Sequence, residues 1–483
     1  MGANKEITAG FAWSFAERIL AQLVSFIVSL VLARLVTPDQ FGLVSLVMII
    51  INLCNIFVTS GLGTGLIQKK NADEDDFSTI FWVSLVFGCF LYSILFISSP
   101  FIQNYFGYEN FSTVMRVLGL RLILASINTI QHAYVSRKMI FKKFFFATLI
   151  GTVISAFAGI GLALKGFGVW AIVAQYLTNT TIDTLVLGVI LDWHPKFIFN
   201  RSRIKHFVDY GWKVLGASLI DNLYTNLRSF IIGKRYSRSD LAYYNKGMMF
   251  PAIIVTNINS TISRVMFPAL SVDQDDKGRL RQKIKRSVQS SSYIISPMLI
   301  GLMVVAKPLI CLLLTDKWID SVRYIYLFCL TYVFMPIHEL NIQAIKATGH
   351  SEVVLKVEIA KKIFGVITII VSIIIWDSPF SLAISFFAYS LIALIINSYP
   401  GKKLYGYGTI EQIKDVFIPL GLSLIMAVVI YTIKYVIKTD VLLIATQVLL
   451  GVLIYALLSK IFRINTFYIL IDSIKRFTRK QKK

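Results

Sequence analysis

Charge is what this sequence has least of. Asp, Glu, Lys and Arg make up 16% of its 483 residues, against 56% hydrophobic ones, where a soluble chain carries about 25% charged residues. That shortage excludes a soluble globular protein. Acid is scarcer still, with 26 Asp and Glu against 49 Lys and Arg and a formal net charge of +23. The basic residues fall in short clusters between apolar runs, without the continuous basic face that a nucleic-acid partner needs. Cysteine is limited to Cys54, Cys89, Cys311 and Cys329, all inside apolar runs and none in a CxxC, which excludes a disulfide framework or a zinc ribbon. The five histidines, at 132, 194, 206, 338 and 350, show no ligand spacing such as HExxH. No metal or cofactor is expected, and His338 beside Glu339 reads as an interhelical hydrogen-bonder. Long polar stretches are missing too, so no loop holds a separate domain. The first apolar run has no small-residue cleavage site after it and reads as a retained span. "MGANKE" carries Glu6 where a myristoylation signal needs Ser or Thr.

What the sequence has in abundance is apolar runs of membrane-spanning length. They fall at 8–35, 41–67, 78–103, 112–136, 144–164, 168–191, 208–233, 244–270, 287–314, 321–345, 354–376, 380–399, 414–437 and 441–462, each near the roughly 20 residues that cross a bilayer as helix. The expectation is an all-α integral membrane protein of about 14 transmembrane helices. An even count puts both termini on one side. With that side cytoplasmic, about 32 Lys and Arg lie inside and about 11 outside, the bias that orients membrane proteins. The exception is "GKRYSRSD" at 233–240, a basic outer loop. The tail "KRFTRKQKK" reads as an anchor to anionic lipid.

"FAWSF" at 11–15 opens the first helix and "YGWKV" at 210–214 the seventh; "ADEDDFS" at 72–78 follows the second and "VDQDDKG" at 272–278 the eighth. These echoes predict two parallel six-helix lobes, 1–195 and 196–405, with helices 13 and 14 (406–465) appended and a basic cytoplasmic tail at 466–483. The acidic loops, though DxD-like, read as solvated connectors.

Polar residues recur at steps of three and four on chosen helices, the spacing of one helical face. The first span carries Arg18 and Gln22 with Glu17 beside them, the second Asn52 and Asn55, the fourth Arg121 and Asn128, and the sixth Asp183. In the second lobe, the seventh span carries Lys213, Asp221 and Arg228, the eighth Asn257 and Arg264, and the tenth Glu339. An arginine at mid-bilayer costs about 2.5–3.5 kcal/mol even on the lenient insertion scale. Such faces are therefore expected to line a hydrated cavity between the lobes. Arg18 lies about 16 Å and Arg121 about 14 Å into their helices, near the midplane. With Lys213 the cations there outnumber the acids, and guanidinium groups suit the paired oxygens of a pyrophosphate. Arg18, Arg121, Lys213, Arg228, Arg264, Asn52, Asn55, Gln22 and Asn257 are the substrate-binding candidates. Glu17, Asp183, Asp221 and Glu339 either pair with those cations or couple transport to protons or sodium.

"LVLARLVTPDQFGLVSL" at 30–46, "STIFWVSL" at 78–85, "QHAYVSRKMIFKKF" at 131–144 and "KGFGVWAIVAQ" at 165–175 together resemble the polysaccharide synthase-type (Wzx-like) flippases. That family lies within the superfamily that includes the multidrug and toxin extrusion transporters. The resemblance runs through most of residues 1–400 and fades in the last two helices. It implies a two-lobe, fourteen-helix transporter of a bacterial inner membrane, moving undecaprenyl-pyrophosphate-linked oligosaccharide units outward for O-antigen, capsule, exopolysaccharide or teichuronic acid. Its partners would be the lipid-linked substrate, membrane lipids, and a polymerase with other assembly proteins, without nucleic acid. Two rivals have distinct needs. A cation-coupled drug exporter wants an anionic cavity, and a polytopic glycosyltransferase or polymerase wants carboxylates or a metal on a sizeable outer loop.

Overall fold

In hydrocarbon no water satisfies the backbone, so each spanning segment must close its own hydrogen bonds as a helix. The computed structural model describes residues 20–60, 62–69 and 71–472, and among them it is helical without a strand. The first described helix, α1, is Leu20–Leu35. Then follow α2 (Pro38–Thr59), α3 (Leu62–Gln68), α4 (Glu74–Phe106), α5 (Phe111–Lys138), α6 (Phe141–Leu164), α7 (Val169–Ile190), α8 (Arg201–Arg235) and α9 (Arg238–Ser271). The remainder are α10 (Lys277–Leu314), α11 (Ser321–Tyr332), α12 (Met335–Ala347), α13 (Ser351–Ile375), α14 (Pro379–Tyr405), α15 (Thr409–Thr432) and α16 (Asp440–Ile461). Among the described residues nine helices or joined pairs are long and apolar enough to cross a membrane. This is a multi-pass membrane protein. Helices α7, α8, α9 and α13 fall short of that mark, and the first three are helices whose polar stripes the sequence singles out.

The ends are set by familiar chemistry. Asp73 and Asp76 cap α4 reciprocally, which satisfies two otherwise orphaned amides, and Lys69 bonds Asp76 at 2.6 Å. Thr37 accepts from the Gln40 amide at the start of α2, and Pro38 takes the first helical position, where its missing N–H costs nothing. Helix α10, 38 residues long, measures about 57 Å at 1.5 Å per residue, well beyond a hydrocarbon core of about 30 Å. Its first ten residues hold six bases, Lys277, Arg279, Arg281, Lys283, Lys285 and Arg286, and form its water-side extension.

Two compact units divide the chain, Met1–Ala242 and Tyr243–Lys483. In the first, α6 packs along α7, α4 along α5, and α8 against α2, α3 and α4. Small residues let these helices approach closely. A Cβ on Gly151 of α6 would sit 3.2 Å from the Asn179 carbonyl of α7, and one on Gly42 of α2 only 1.8 Å from the Arg238 carbonyl. In the second unit, α10 packs against α15 and α16, and α13 against α14.

Candidate functional site

Helices α5, α6 and α7 bring a polar seam together inside the first unit. Asp183 of α7 is its hub. Its carboxylate accepts from Asn128 Nδ2 at 2.8 Å, lies 3.3 Å from His132 Nε2 and accepts from the Thr148 hydroxyl at 3.5 Å. One turn away Asn179 reaches Thr152 and Ser155 of α6 at 3.5 and 3.4 Å, and Gln131 donates to the Thr184 carbonyl at 3.1 Å. Arg121 sits further along the same face of α5. Its Nε donates to the Thr180 hydroxyl at 3.1 Å, its Nη1 points at the Met48 sulfur, and its Cζ lies 5.3 Å from the Tyr176 ring centre. Arg121 is half-buried and makes no ion pair with a carboxylate among the described residues.

The acid is thus surrounded by donors, and the nearby cation is held by a hydroxyl, a sulfur and a ring. Asp183 spends its accepting capacity on Asn128, His132 and Thr148 and leaves the Arg121 charge uncompensated. A guanidinium within a membrane protein is costly to hold without a counter-charge, and guanidinium groups suit paired anionic oxygens. Asn52 of α2 is exposed and Asn55 half-buried, with the Asn55 side-chain oxygen unbonded among the described residues. Gln22 is half-buried on α1. Glu17 and Arg18 lie outside the described residues, as does the side chain of Lys213.

Helix α8 places Arg228 in a buried position, 4% exposed, with its guanidinium 5.9 Å from the Tyr224 ring centre, while Asp221 lies exposed two turns earlier. In the second unit α9 turns Thr256, Asn257, Thr261 and Arg264 outward as one exposed polar face. Asn257 donates to the Ile253 carbonyl at 2.9 Å, which leaves its side-chain oxygen presented. Arg264 makes no ion pair among the described residues. The acid of this unit repeats the pattern of the first, because Glu339 of α12 accepts from Ser263 and, at 2.8 Å, from Gln343. His338 bonds Asn397 at 2.8 Å and faces the Ser390 hydroxyl at 3.4 Å, both on α14, the interhelical role expected of it.

The basic connector at 233–240 has a local explanation. Lys234 Nζ donates to the Tyr105 carbonyl at the end of α4 and lies 3.8 Å from the Tyr105 ring centre. Arg238 bonds Asp39 at 2.8 Å and lies 5.0 Å from the Tyr108 ring centre, and the Tyr108 hydroxyl donates to the Gly233 and Tyr236 carbonyls at 2.9 Å. Two of its cations therefore fasten the α8–α9 turn to α2 and α4.

The second unit also holds an apolar groove of about 590 Å³ between α10, α15, α16 and residues 465–472. Its polar members face elsewhere. Tyr455 donates to the Tyr293 carbonyl at 3.0 Å, Tyr293 to Ser459 at 2.6 Å, and Gln447 to the Ile430 carbonyl at 3.0 Å. Gly301 and Gly451 leave its walls low, and Pro297, Leu302, Val305 and Val452 line it.

Sequence reasoning reached Asp183, Asn128 and Arg121 but passed over His132, Thr148, Tyr176 and Thr180. The signal was present, because Thr148, Thr152 and Ser155 repeat at steps of four and three, as do Tyr176, Thr180 and Asp183.

Among the described residues the chain is an all-helical, multi-pass membrane protein. The chain is a member of the polysaccharide biosynthesis protein family, whose model matches residues 31–323. Among relatives, the succinoglycan biosynthesis transport protein ExoT of Rhizobium meliloti (strain 1021) is 22% identical over 65% of this chain and 64% of its own. The lipopolysaccharide biosynthesis protein WzxC of Escherichia coli (strain K12) is 22% identical over 91% of this chain and 89% of its own. Among solved structures, the lipid II flippase MurJ in an inward closed conformation has a TM-score of 0.74 at 16% identity, covering 92% of this chain and 98% of MurJ. An inward-facing multidrug resistance MATE family transporter of the MOP superfamily has a TM-score of 0.62 at 12% identity, covering 80% and 95%. The fold is that of this superfamily, in agreement with the resemblance read from the sequence.

Proposed function

We propose that this protein is a flippase carrying undecaprenyl-pyrophosphate-linked oligosaccharide units from the cytoplasmic to the outer leaflet of a bacterial inner membrane. It works by alternating access, for O-antigen, capsule, exopolysaccharide or teichuronic acid assembly. In this reading the chain crosses the membrane fourteen times, in two six-helix repeats plus an appended pair, with both termini cytoplasmic. One observation carries the proposal. Arg121 on the spanning helix α5 and Arg264 on α9 have no carboxylate partner among the described residues, while Asp183 and Glu339 are taken up by neutral side chains and His132. A pyrophosphate supplies the missing negative charge, and guanidinium binds its oxygens in pairs. Asn52, Asn55, Gln22 and Asn257 offer amides for sugar hydroxyls. Arg18, Lys213 and Arg228 join the cationic set, with Glu17 and Asp221 as counter-charges.

The isoprenoid tail stays in lipid, and the groove on the second unit gives it an apolar wall. Coupling to protons or sodium would act through Asp183 or Glu339. A drug exporter shares the fold, but its cationic substrates would meet Arg121 and Arg264 as like charges.

The test is replacement of Arg121 and Arg264 by Ala, singly and together, in a strain deleted for the native gene. The double variant is expected to insert at normal level, to lose surface glycan at least tenfold, and to accumulate lipid-linked oligosaccharide on the cytoplasmic leaflet. Normal glycan in the double variant refutes the role of these arginines. Resistance to cationic drugs on overexpression would support the exporter reading instead.

A further inference from the structure

We propose that the first unit carries a binding site for an anionic glycerophospholipid of the surrounding bilayer, where the segment joining α7 to α8 meets α4. The site is separate from the polar seam, and the inference requires only that the protein is embedded in a membrane.

Between Asp192 and Asp209 the sequence has no acid. It has Lys196, Arg201, Arg203 and Lys205, interleaved with Phe197, Ile198, Phe199 and Ile204. Alternation of aromatics and bases over so short a stretch is the composition of a segment lying in the headgroup layer. Structure gives that pattern a shape. Trp82, Val83, Val86, Phe87 and Phe90, one face of α4, form with those four apolar residues a cleft of about 600 Å³.

The segment is fastened in place. The Lys196 amide donates to the Ser78 hydroxyl at 3.1 Å, the Trp82 indole donates to the Lys196 carbonyl at 2.9 Å, and the Phe197 and Trp82 ring centres are 4.3 Å apart. Even so, the cleft is uncovered. Phe197 is 90% exposed, Phe199 69%, Val86 68% and Phe90 57%. A contiguous apolar surface held this rigidly needs an apolar cover, and in a bilayer the cover at hand is an acyl chain.

Charge selects which lipid. Helix α8 begins at Arg201 with no acid in its first turn, and the sequence puts three cations within its first five residues, at the end where the helix dipole repels them. Two acids beside the segment are already engaged, Glu74 by Lys196 at 3.0 Å and Asp192 by Lys143 at 2.9 Å. A phosphodiester with net negative charge compensates both the cations and the helix terminus, whereas a zwitterionic headgroup adds no net charge.

Trp82 lies in the cleft wall and reports on it directly. Full-length protein in phosphatidylcholine vesicles is titrated with phosphatidylglycerol brominated on its acyl chains, or with phosphatidylcholine brominated at the same positions. The Trp82 signal is isolated by subtracting the Trp82→Phe variant. Brominated phosphatidylglycerol is expected to quench Trp82 at a mole fraction lower by about tenfold, the order expected from a few interfacial cations. The triple variant R201Q/R203Q/K205Q is expected to bring the two lipids to equal quenching. So is Phe197→Asp, which leaves α8 untouched and serves if the triple variant fails to fold. Equal quenching of the native protein by both lipids, or a preference that survives both variants, overturns the proposal.

Discussion

The α5–α7 seam and the α10–α15–α16 groove both hide polar side chains between packed helices, yet they leave opposite surfaces. In the groove each hydroxyl is consumed by a neighbour. Tyr455 bonds the Tyr293 backbone and Tyr293 bonds Ser459, so what faces outward is hydrocarbon. In the seam the acid is consumed and the cation is not, because Asp183 bonds Asn128, His132 and Thr148 while Arg121 is left to a hydroxyl, a sulfur and a ring. A polar stripe on a spanning helix therefore does not by itself mark a binding site. It leaves a group free to meet a ligand only where its bonding capacity is not exhausted inside the protein.

The largest expected effect breaks the seam's side of this contrast. Arg121→Lys keeps the charge but loses the fork that grips two oxygens, and it should lower transport on the order of tenfold, measured as flipped lipid-linked oligosaccharide in proteoliposomes. Wild-type transport in the lysine variant would mean that the charge alone suffices. Next comes the groove. Gly451→Trp fills its low wall, and is expected to reduce transport several-fold while leaving the melting temperature within a few degrees; unaltered transport would remove the tail from the groove.

Asp183→Ala strands Asn128, His132 and Thr148 and should destabilise the protein by about 1–3 kcal/mol, read by thermal melting in detergent. Asp183→Asn, which still accepts one such bond, is expected to lose less. Tyr455→Phe removes one bond to the Tyr293 carbonyl for about 1 kcal/mol and should leave transport unchanged, because the groove surface it presents stays apolar.

The smallest effect lies outside the spans. Asp273, after α9, is held below its ordinary value of 3.8, first by the hydrogen bond from Lys283 and further by Arg279. A carboxylate lowered on folding adds stability that is present above its unfolded value and is lost as pH falls through the lowered one. A slight fall in melting temperature below about pH 4 is expected in the native protein, and its absence in Asp273→Asn is the check.

Much of this was legible from residue order. The polar steps on the fourth, sixth and eighth spans pointed to Arg121, Asp183 and Arg264, because i, i+3 and i+4 share a face in any helix. Less legible were the partners. His132 and Thr148 stand four residues from Asn128 and 35 residues from Asp183, respectively, and only the packing of α5 and α6 on α7 brings them to one carboxylate. The basic loop at 233–240 looked anomalous for the same reason. Its explanations are Tyr105 and Asp39, 129 and 199 residues away from Lys234 and Arg238.

What the order of residues determined was helix, membrane and the faces that carry polarity, since a backbone in lipid closes its hydrogen bonds within a few residues and hydropathy reads that directly. What tertiary structure alone decided was which of those polar groups are already satisfied. Side-chain pairing joins distant stretches of chain, so no local pattern can say that Asp183 is held by Asn128, His132 and Thr148 while Arg121 meets only a hydroxyl, a sulfur and a ring.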